Sequence, residues 1–310
     1  MDPRSCGTGI HLIRKMPLQY TVIIPTLNAA GCIRLLIESL LQQRQPPEEI
    51  VIVDSQSSDG TPDIAASLPL VRVISVNRNE FDHGGTRDEA LRDTGTPIVV
   101  FLTQDALPMD ADWAGALLAP FEDGRVAAVC GRQVARPDSR AYEKAIRAYR
   151  YADQNVKWDR ADLQRLSVRA FLLSDACAAY RREAYEAVGG FEHPIITNED
   201  MLIAADLLNA GYRLAYAADA KVWHSHDHTL RQEYARNRKI GWFMEQYEDR
   251  FMGVGELNEG FRLASHISKE LARQGKPGEL LCFWLNCAMR LLGNRVGRYR
   301  SRQNSRRQQR

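Results

Sequence analysis

Pro97-Ile98-Val99-Val100-Phe101-Leu102-Thr103-Gln104-Asp105-Ala106 is the stretch on which the fold turns. Pro97 to Leu102 is an unbroken apolar run, the pattern of a strand buried on both faces of a parallel sheet. Thr103-Gln104-Asp105 then falls at its carboxyl tip, where open α/β sheets bind ligands. A carboxylate there suits a divalent cation, free or phosphate-bound. An Asp ahead of a helix, here near Asp112-Trp113, suits a helix cap equally well. Asp105 alone does not choose between the two.

The residues upstream repeat the pattern. Tyr20 to Ile24 is a β-branched run closed by Pro25, with Pro25-Thr26-Leu27-Asn28 as its tip loop. Ile33, Leu36, Ile37, Leu40 and Leu41 recur at helical spacing, and Pro46-Pro47 stops the helix. Ile50 to Asp54 is a second buried strand with Asp54 at its tip. Thr61-Pro62 opens a short helix, and Val71 to Val76 is a third strand. His83-Gly84-Gly85-Thr86-Arg87 leads into a helix from Asp88 to Arg92. Strands and helices therefore alternate, as a parallel sheet with right-handed crossovers requires. The tip loops gather Thr26, Asn28, Asp54, Arg87 and Asp105 on one edge of one sheet.

Downstream the alternation weakens. Val126 to Gly131 is a strand, and 138–165 reads as surface helix rich in Arg, Tyr and Asp. Leu172 to Tyr180 reads as a strand, followed by a short helix ended by Gly189-Gly190. Asn198-Glu199-Asp200 opens a helix with Met201, Ala204, Ala205 and Leu208 on one face. Tyr212 to Tyr216 and Lys221 to Trp223 read as two strands, and His224-Ser225-His226-Asp227-His228 follows. Leu230 to Phe251 and most of 256–295 are helical, with an apolar patch at Leu280 to Leu285.

Composition narrows the class. The 310 residues are 45% hydrophobic and 26% charged with a net charge of +2, which gives no general affinity for nucleic acid. No acidic residue follows Glu279, while arginines gather from Arg290 to Arg310; such a tail is either solubilising or a membrane-surface contact. The six cysteines are scattered without metal spacing and suit a reduced, cytoplasmic protein. Residues 1–18 read as a poorly structured leader without a secretory signal, in which Met16 is an alternative start. No run is long enough to span a membrane.

Several chemistries can be weighed. No GxGxxG follows the first strand, which disfavours NAD, and no GxxxxGK[ST] exists. Asp54 fits a base or ribose contact or a strand-end turn. Arg87 beside two glycines fits a phosphate fork or an ordinary helix start. Gln104-Asp105 with His224 makes a metal pair, and three alternating histidines also invite zinc, though without an obvious fourth ligand. Acidic residues at a helix start stabilise any helix, so Asp200 acts as a base only if it faces a cleft.

In order, strand-Pro25-Thr26-Leu27-Asn28, strand-Asp54 with Ser57 to Thr61, Gly-loop-Arg87, Asp105, Gly189-Gly190-Phe191, Glu199-Asp200 and strand-His224 make a set. The set resembles the family 2 glycosyltransferases of the GT-A fold over about residues 19–230. Phe81-Asp82-His83-Gly84-Gly85-Thr86-Arg87 and Thr103-Gln104-Asp105-Ala106 are similar to the rhamnosyltransferase branch, which builds bacterial polysaccharides from dTDP-L-rhamnose. The resemblance implies an α/β fold with a mostly parallel central sheet flanked by helices. Its nucleotide-binding half would be 19–131 and its acceptor half 132–230, followed by a helical region 231–295 and a basic tail 296–310.

It also implies roles. Pro25, Thr26 and Asp54 would grip the nucleoside and Arg87 the diphosphate side, with Asn28, Gly84, Gly85 and Gln104 completing the donor site. Asp105 matches the second Asp of the family's metal motif for Mg²⁺ or Mn²⁺, joined by His224 or, alternatively, His226. Asp200 matches the base that deprotonates the acceptor, and Gly189-Gly190-Phe191 would lie near its entrance. The acceptor would be a growing lipid-linked glycan, met by peripheral contact at the inner face of the cytoplasmic membrane through an apolar helix near 280–292 and the Arg-rich tail. Thr103 stands where the first Asp of the motif is usual, Asp88 where Asn is, and 230–310 matches no motif. A UDP-sugar donor or a non-catalytic nucleotide-sugar-binding protein are the alternatives. A pyrophosphorylase is disfavoured, because Pro25 to Gly31 holds neither Lys nor Arg.

Overall fold

The structure, a computed structural model, describes residues 17–251 and 257–308. Its first half runs β1 (Tyr20–Thr26), α1 (Ile33–Leu41), β2 (Glu49–Asp54), α2 (Thr61–Ala66), β3 (Val71–Ser75), α3 (His83–Arg92) and β4 (Ile98–Leu102). The four strands are parallel in the order β3-β2-β1-β4. The order reverses at β1, so the crevice for ligands lies between the tips of β1 and β4.

The apolar runs are explained by two-sided burial. Successive side chains of a strand point to opposite faces. Ile23, Val51, Val53, Val99 and Phe101 enter one core, shared with helices later in the chain. Val22, Ile24, Ile50, Ile52, Ile98, Val100 and Leu102 enter the other, against α1 and its neighbours. Ile33, Leu36, Ile37 and Leu40 of α1 are all buried there, each contributing about 2 kcal/mol.

The second half is mixed rather than alternating. It runs β5 (Leu107–Pro108), α4 (Trp113–Leu118), β6 (Val126–Val134), α5 (Ala141–Arg150), β7 (Val156–Trp158), α6 (Leu163–Leu166), β8 (Cys177–Arg181), α7 (Arg182–Ala187), α8 (Glu199–Asn209) and β9 (Arg213–Trp223). The sheet continues past β4 as β8-β6-β9-β5, with β8 antiparallel to both neighbours and β7 paired to β9. Two expectations change here. The strand expected from Leu172 begins only at Cys177, because Asp175 and Ala176 form a turn closed by the Cys177 amide donating to the Ser174 carbonyl. The two strands expected around 212–223 are one, β9, whose register against β6 shifts between Gly131 and Arg132. The displaced backbone at Ala218 donates to Asn155 Oδ1 at 2.6 Å.

The helical region is α9 (Leu230–Gln246), α10 (Leu257–Arg273) and α11 (Pro277–Gln308). The expected boundary at 295/296 is not a break: α11 runs through it as one 32-residue helix. It is held against α9 at close range. A side chain at Gly293 or Gly297 would overlap the carbonyls of Tyr234 or Arg238, and one at Gly241 would overlap Asn294. Residues 1–16 of the expected leader and Gln309-Arg310 of the expected tail lie outside the described residues.

Candidate active site

At the switch point the tip loops are tied to each other. Gln104 clamps β4 to β1: its Oε1 accepts from the Leu27 amide at 2.8 Å and its Nε2 donates to the Leu27 carbonyl at 3.2 Å. Both ends of the Gln104 amide are thus spent on backbone, so it shapes the crevice rather than reaching into it. Asn28, at φ 52°, does the same for β2, accepting from the Ser58 amide at 3.0 Å. Asp54 is buried and accepts from Thr26 Oγ1 at 2.9 Å, Ser57 Oγ at 2.6 Å and the Ser57 amide at 2.8 Å. Pro25, half-buried, pairs with Val53 in the register between them.

Asp105 lies across the crevice with two histidines. Its carboxylate oxygens stand 3.5 Å from His224 Nε2 and 3.4 Å from His226 Nδ1. The three ligand atoms lie within 4.8 Å of one another, close enough to converge on one cation. The Thr103 hydroxyl is buried beside this carboxylate and meets no partner at hydrogen-bond geometry. A carboxylate and two imidazoles fit a mid-row divalent ion, with remaining positions for phosphate or water oxygens. Both His224 and His226, between which the sequence does not choose, stand beside Asp105.

A fourth residue, Gln133, orients His224. Gln133 is 2% exposed, and its Oε1 accepts from Arg147 Nη1. An arginine only donates, so that oxygen is an acceptor. His224 Nδ1, 2.8 Å from the same oxygen, must then carry the proton. Nε2 is left with its lone pair toward Asp105. Burial pushes the His224 imidazole down to about 3 despite the pull of Asp105, so it is neutral at neutral pH. Arg136 braces the same tip, its Nη2 donating to the Asp105 carbonyl at 2.8 Å.

Arg87 departs from its expected role. It is buried, with Nη1 3.1 Å from Glu199 Oε1 and Nε 3.7 Å from Asp175 Oδ2, and it donates to the His83 carbonyl at 2.9 Å. Its charge compensates buried acids inside the protein and does not point into the crevice. The glycines beside it likewise serve packing. A side chain on Gly84 would overlap the Glu192 carbonyl, and Asp82 caps α3 through the Gly84 and Gly85 amides while accepting from the Ile195 amide at 2.7 Å. Of Gly189-Gly190-Phe191, the last two pack inward while Gly189 is exposed. Phe191 is buried against Phe101, Tyr180 and Tyr185, and a side chain on Gly190, at φ 80°, would overlap the Asp88 carboxylate.

These contacts dock the start of α3 against the segment entering α8, and so fix Asp200. A cavity of about 500 Å³ opens there, and Asp200, His224 and His226 all line it. Burial, then Glu199 and Asp175, raise the Asp200 carboxyl well above the ordinary value against the opposing pull of Arg87. Asp175, which accepts from Tyr180 Oη at 2.7 Å, is pushed up to about 7 by burial. Two carboxylates crowded behind one arginine thus make Asp200, when ionised, more basic than an ordinary carboxylate.

A nucleotide-type switch point, a carboxylate–imidazole cluster at the next strand tip and a carboxyl lining the cavity beside it suit a sugar-nucleotide-dependent transferase of the GT-A type. The profile described as Glycosyl transferase family 2 matches residues 21–189, and the chain belongs to that family. The chain is 33% identical to O-antigen chain rhamnosyltransferase RfbN of Salmonella typhimurium, over 91% of this chain and 90% of that one. It is 35% identical to O-antigen chain rhamnosyltransferase WbaN of Salmonella anatum, over 90% and 89%. Among solved structures, the mannosyltransferase PcManGT of Pyrobaculum calidifontis, in complex with GDP-Man and Mn²⁺, shares the fold: TM-score 0.56 and 22% identity, over 91% of this chain and 84% of that one. As a family 2 glycosyltransferase, the protein moves a sugar from a nucleotide donor to an acceptor glycan.

Sequence reasoning missed Gln133 and Arg136. Both lie in an unremarkable stretch at the end of β6, and no local pattern marks them. Their importance comes only from β6 lying beside β9, which carries His224 at its tip.

Proposed function

We propose that the enzyme transfers L-rhamnose from dTDP-L-rhamnose to a hydroxyl of a growing, lipid-linked bacterial glycan, with inversion at the anomeric carbon. The observation that carries this reading is that Asp200 lines the same cavity as His224 and His226. A base and a donor-holding cluster then face one acceptor. The similarity to two O-antigen rhamnosyltransferases over nine-tenths of the chain supports the sugar.

Asp105, His224 and His226 would hold the divalent ion, and the two imidazoles favour Mn²⁺ over Mg²⁺. Bound there, such an ion would offset the negative charge that grows on the departing nucleoside diphosphate. Asp54 and Thr26 present fixed polar groups to the nucleoside at the tips of β1 and β2. Arg136, fixed by its bond to the Asp105 carbonyl, brings the positive charge that the sequence assigned to Arg87. Asp200 takes the proton of the acceptor hydroxyl as that oxygen attacks the anomeric carbon. Its raised pKa makes the basic form scarce at low pH, so turnover falls as pH drops through that value.

Membrane contact fits α11. Leu281, Trp284, Leu285, Leu291 and Leu292 are exposed along one face, ahead of the exposed Arg295, Arg300 and Arg302. Among the described residues no helix is long and apolar enough to cross a membrane, so the contact proposed is peripheral.

The test is a thermal-shift panel of nucleotide sugars with Mn²⁺, followed by nucleoside diphosphate release with Asp200→Asn as control. The expected result is stabilisation by dTDP-L-rhamnose, and donor binding without transfer in the variant, slower by about 10²–10⁴-fold. Preference for a UDP-sugar would overturn the donor assignment, and normal turnover by Asp200→Asn would overturn the base.

A further inference from the structure

The cavity beyond Asp200 carries positive charge that the transfer chemistry leaves unused. Six arginines line it: α5 supplies Arg147 and Arg150, α9 supplies Arg236, α11 supplies Arg290, and α6 and the turn after it supply Arg165 and Arg169. Glu143, Arg147 and Arg150 recur at helical spacing and so share one face of α5. Four of the six lining arginines are neutralised locally, among them Arg165 by Asp162 at 2.8 Å and Arg169 by Glu259 at 3.6 Å. Arg147 Nε lies 2.8 Å from Glu143 Oε1, and Arg290 Nε lies 3.1 Å from Glu233 Oε2. Among the described residues, Arg150 and Arg236 have no carboxylate ion-pair partner, and both are exposed to the cavity's solvent. Enclosure by the cavity's protein walls, and then the neighbouring Arg290, Arg147 and Arg236, hold Arg150 below the usual guanidinium range, as expected where like charges are crowded together.

We propose that Arg150 and Arg236 form an anion subsite on the acceptor side of Asp200, and that it takes a diphosphate diester carried by the acceptor. The inference rests on the transferase reading and names the part of the acceptor that this cavity recognises. Charge selects the ligand. Two unpaired guanidinium groups match the two negative charges of a diphosphate diester, and each planar fork suits phosphate oxygens. Position sets the subsite in the same cavity as His224 and His226 but apart from the groups at the tips of β1, β2 and β4. Thr26, Asp54, Gln104 and Asp105 do not line this cavity, whereas Asp200 does. The diester also has the right connectivity: its sugar extends toward Asp200 and its apolar chain leads away.

The experiment uses the full chain with EDTA, so that cation-dependent donor binding is silent. Calorimetry compares octyl glucosyl diphosphate and inorganic pyrophosphate with octyl glucoside. The expected result is that both diphosphates bind and the glucoside does not compete. Arg150→Gln and Arg236→Gln should each weaken diphosphate binding about tenfold, and the double variant should abolish the preference. Binding of dTDP with Mn²⁺ should be unchanged in all three. If the double variant loses dTDP–Mn²⁺ affinity and keeps diphosphate discrimination, the arginines belong to the donor site and the proposal is overturned. The parent protein alone also decides: no preference for the diphosphates, or tighter binding of octyl glucuronide, overturns it even if a variant fails to fold. Nucleoside diphosphate release from donor and Mn²⁺ reports separately on the transferase reading.

Discussion

Replacing Gln133 by Leu removes one oxygen that two donors share. His224 Nδ1–H loses its 2.8 Å acceptor, and Arg147 loses one of its contacts while keeping Glu143 at 2.8 Å. Gln133 is 2% exposed, so water does not readily replace that oxygen. The orphaned imidazole donor alone costs about 1–3 kcal/mol of stability. More specifically, nothing then fixes the proton on Nδ1, and Nε2 is free to take it. Substitutions of this kind behind a metal-binding histidine lower metal affinity about 10–100-fold, or about 1.4–2.7 kcal/mol. The assay is calorimetric titration of Mn²⁺ into the full chain with dTDP present. Gln133→Leu should bind within that reduced range. Gln133→Glu, which keeps an acceptor oxygen at the same reach, should bind more tightly than the Leu variant. If Gln133→Leu binds Mn²⁺ as tightly as the parent while Asp105→Ala loses it, the tautomer argument fails.

Other consequences follow from the same contacts. Arg87→Gln leaves Glu199 and Asp175 buried without their cation and should destabilise by about 3–5 kcal/mol, read as a fall in urea midpoint. Because Arg87 faces inward, dTDP affinity of the folded fraction should not change; a large loss would return Arg87 to the donor site. Asp175, near 7 in the folded protein, lies above its unfolded value of about 3.9. Its contribution is therefore fully present below about pH 4 and is lost as pH rises toward 7. Asp175→Asn should flatten that part of the stability–pH curve, and an unaltered curve would show that Asp175 ionises normally. On α11, Trp284→Gln with Leu291→Gln should abolish flotation with anionic liposomes without lowering the melting temperature, since both side chains are about half exposed. Undiminished flotation would assign that face another role.

The sequence by itself determined the α/β architecture of the first half. Its strands are buried on both faces, so their apolar runs are continuous and unmistakable, and their tips carry Asp54 and Asp105 wherever the helices pack. It also placed Asp200 at a helix start and His224 at a strand end. Local pattern carries that much because it depends on period and on chain punctuation. Tertiary structure decided what each of these residues faces. Arg87 and Gly84 sit in a stretch that reads as a phosphate loop, yet the segment entering α8 packs over them and turns their chemistry inward. Gln104 reads as a ligand contact, yet the Leu27 backbone consumes both ends of its amide. Gln133 and the unpaired Arg150 and Arg236 carry no local signal at all. Their meaning arises only when β6 is set beside β9, and when α5 and α9 are brought to one cavity by contacts distant in sequence.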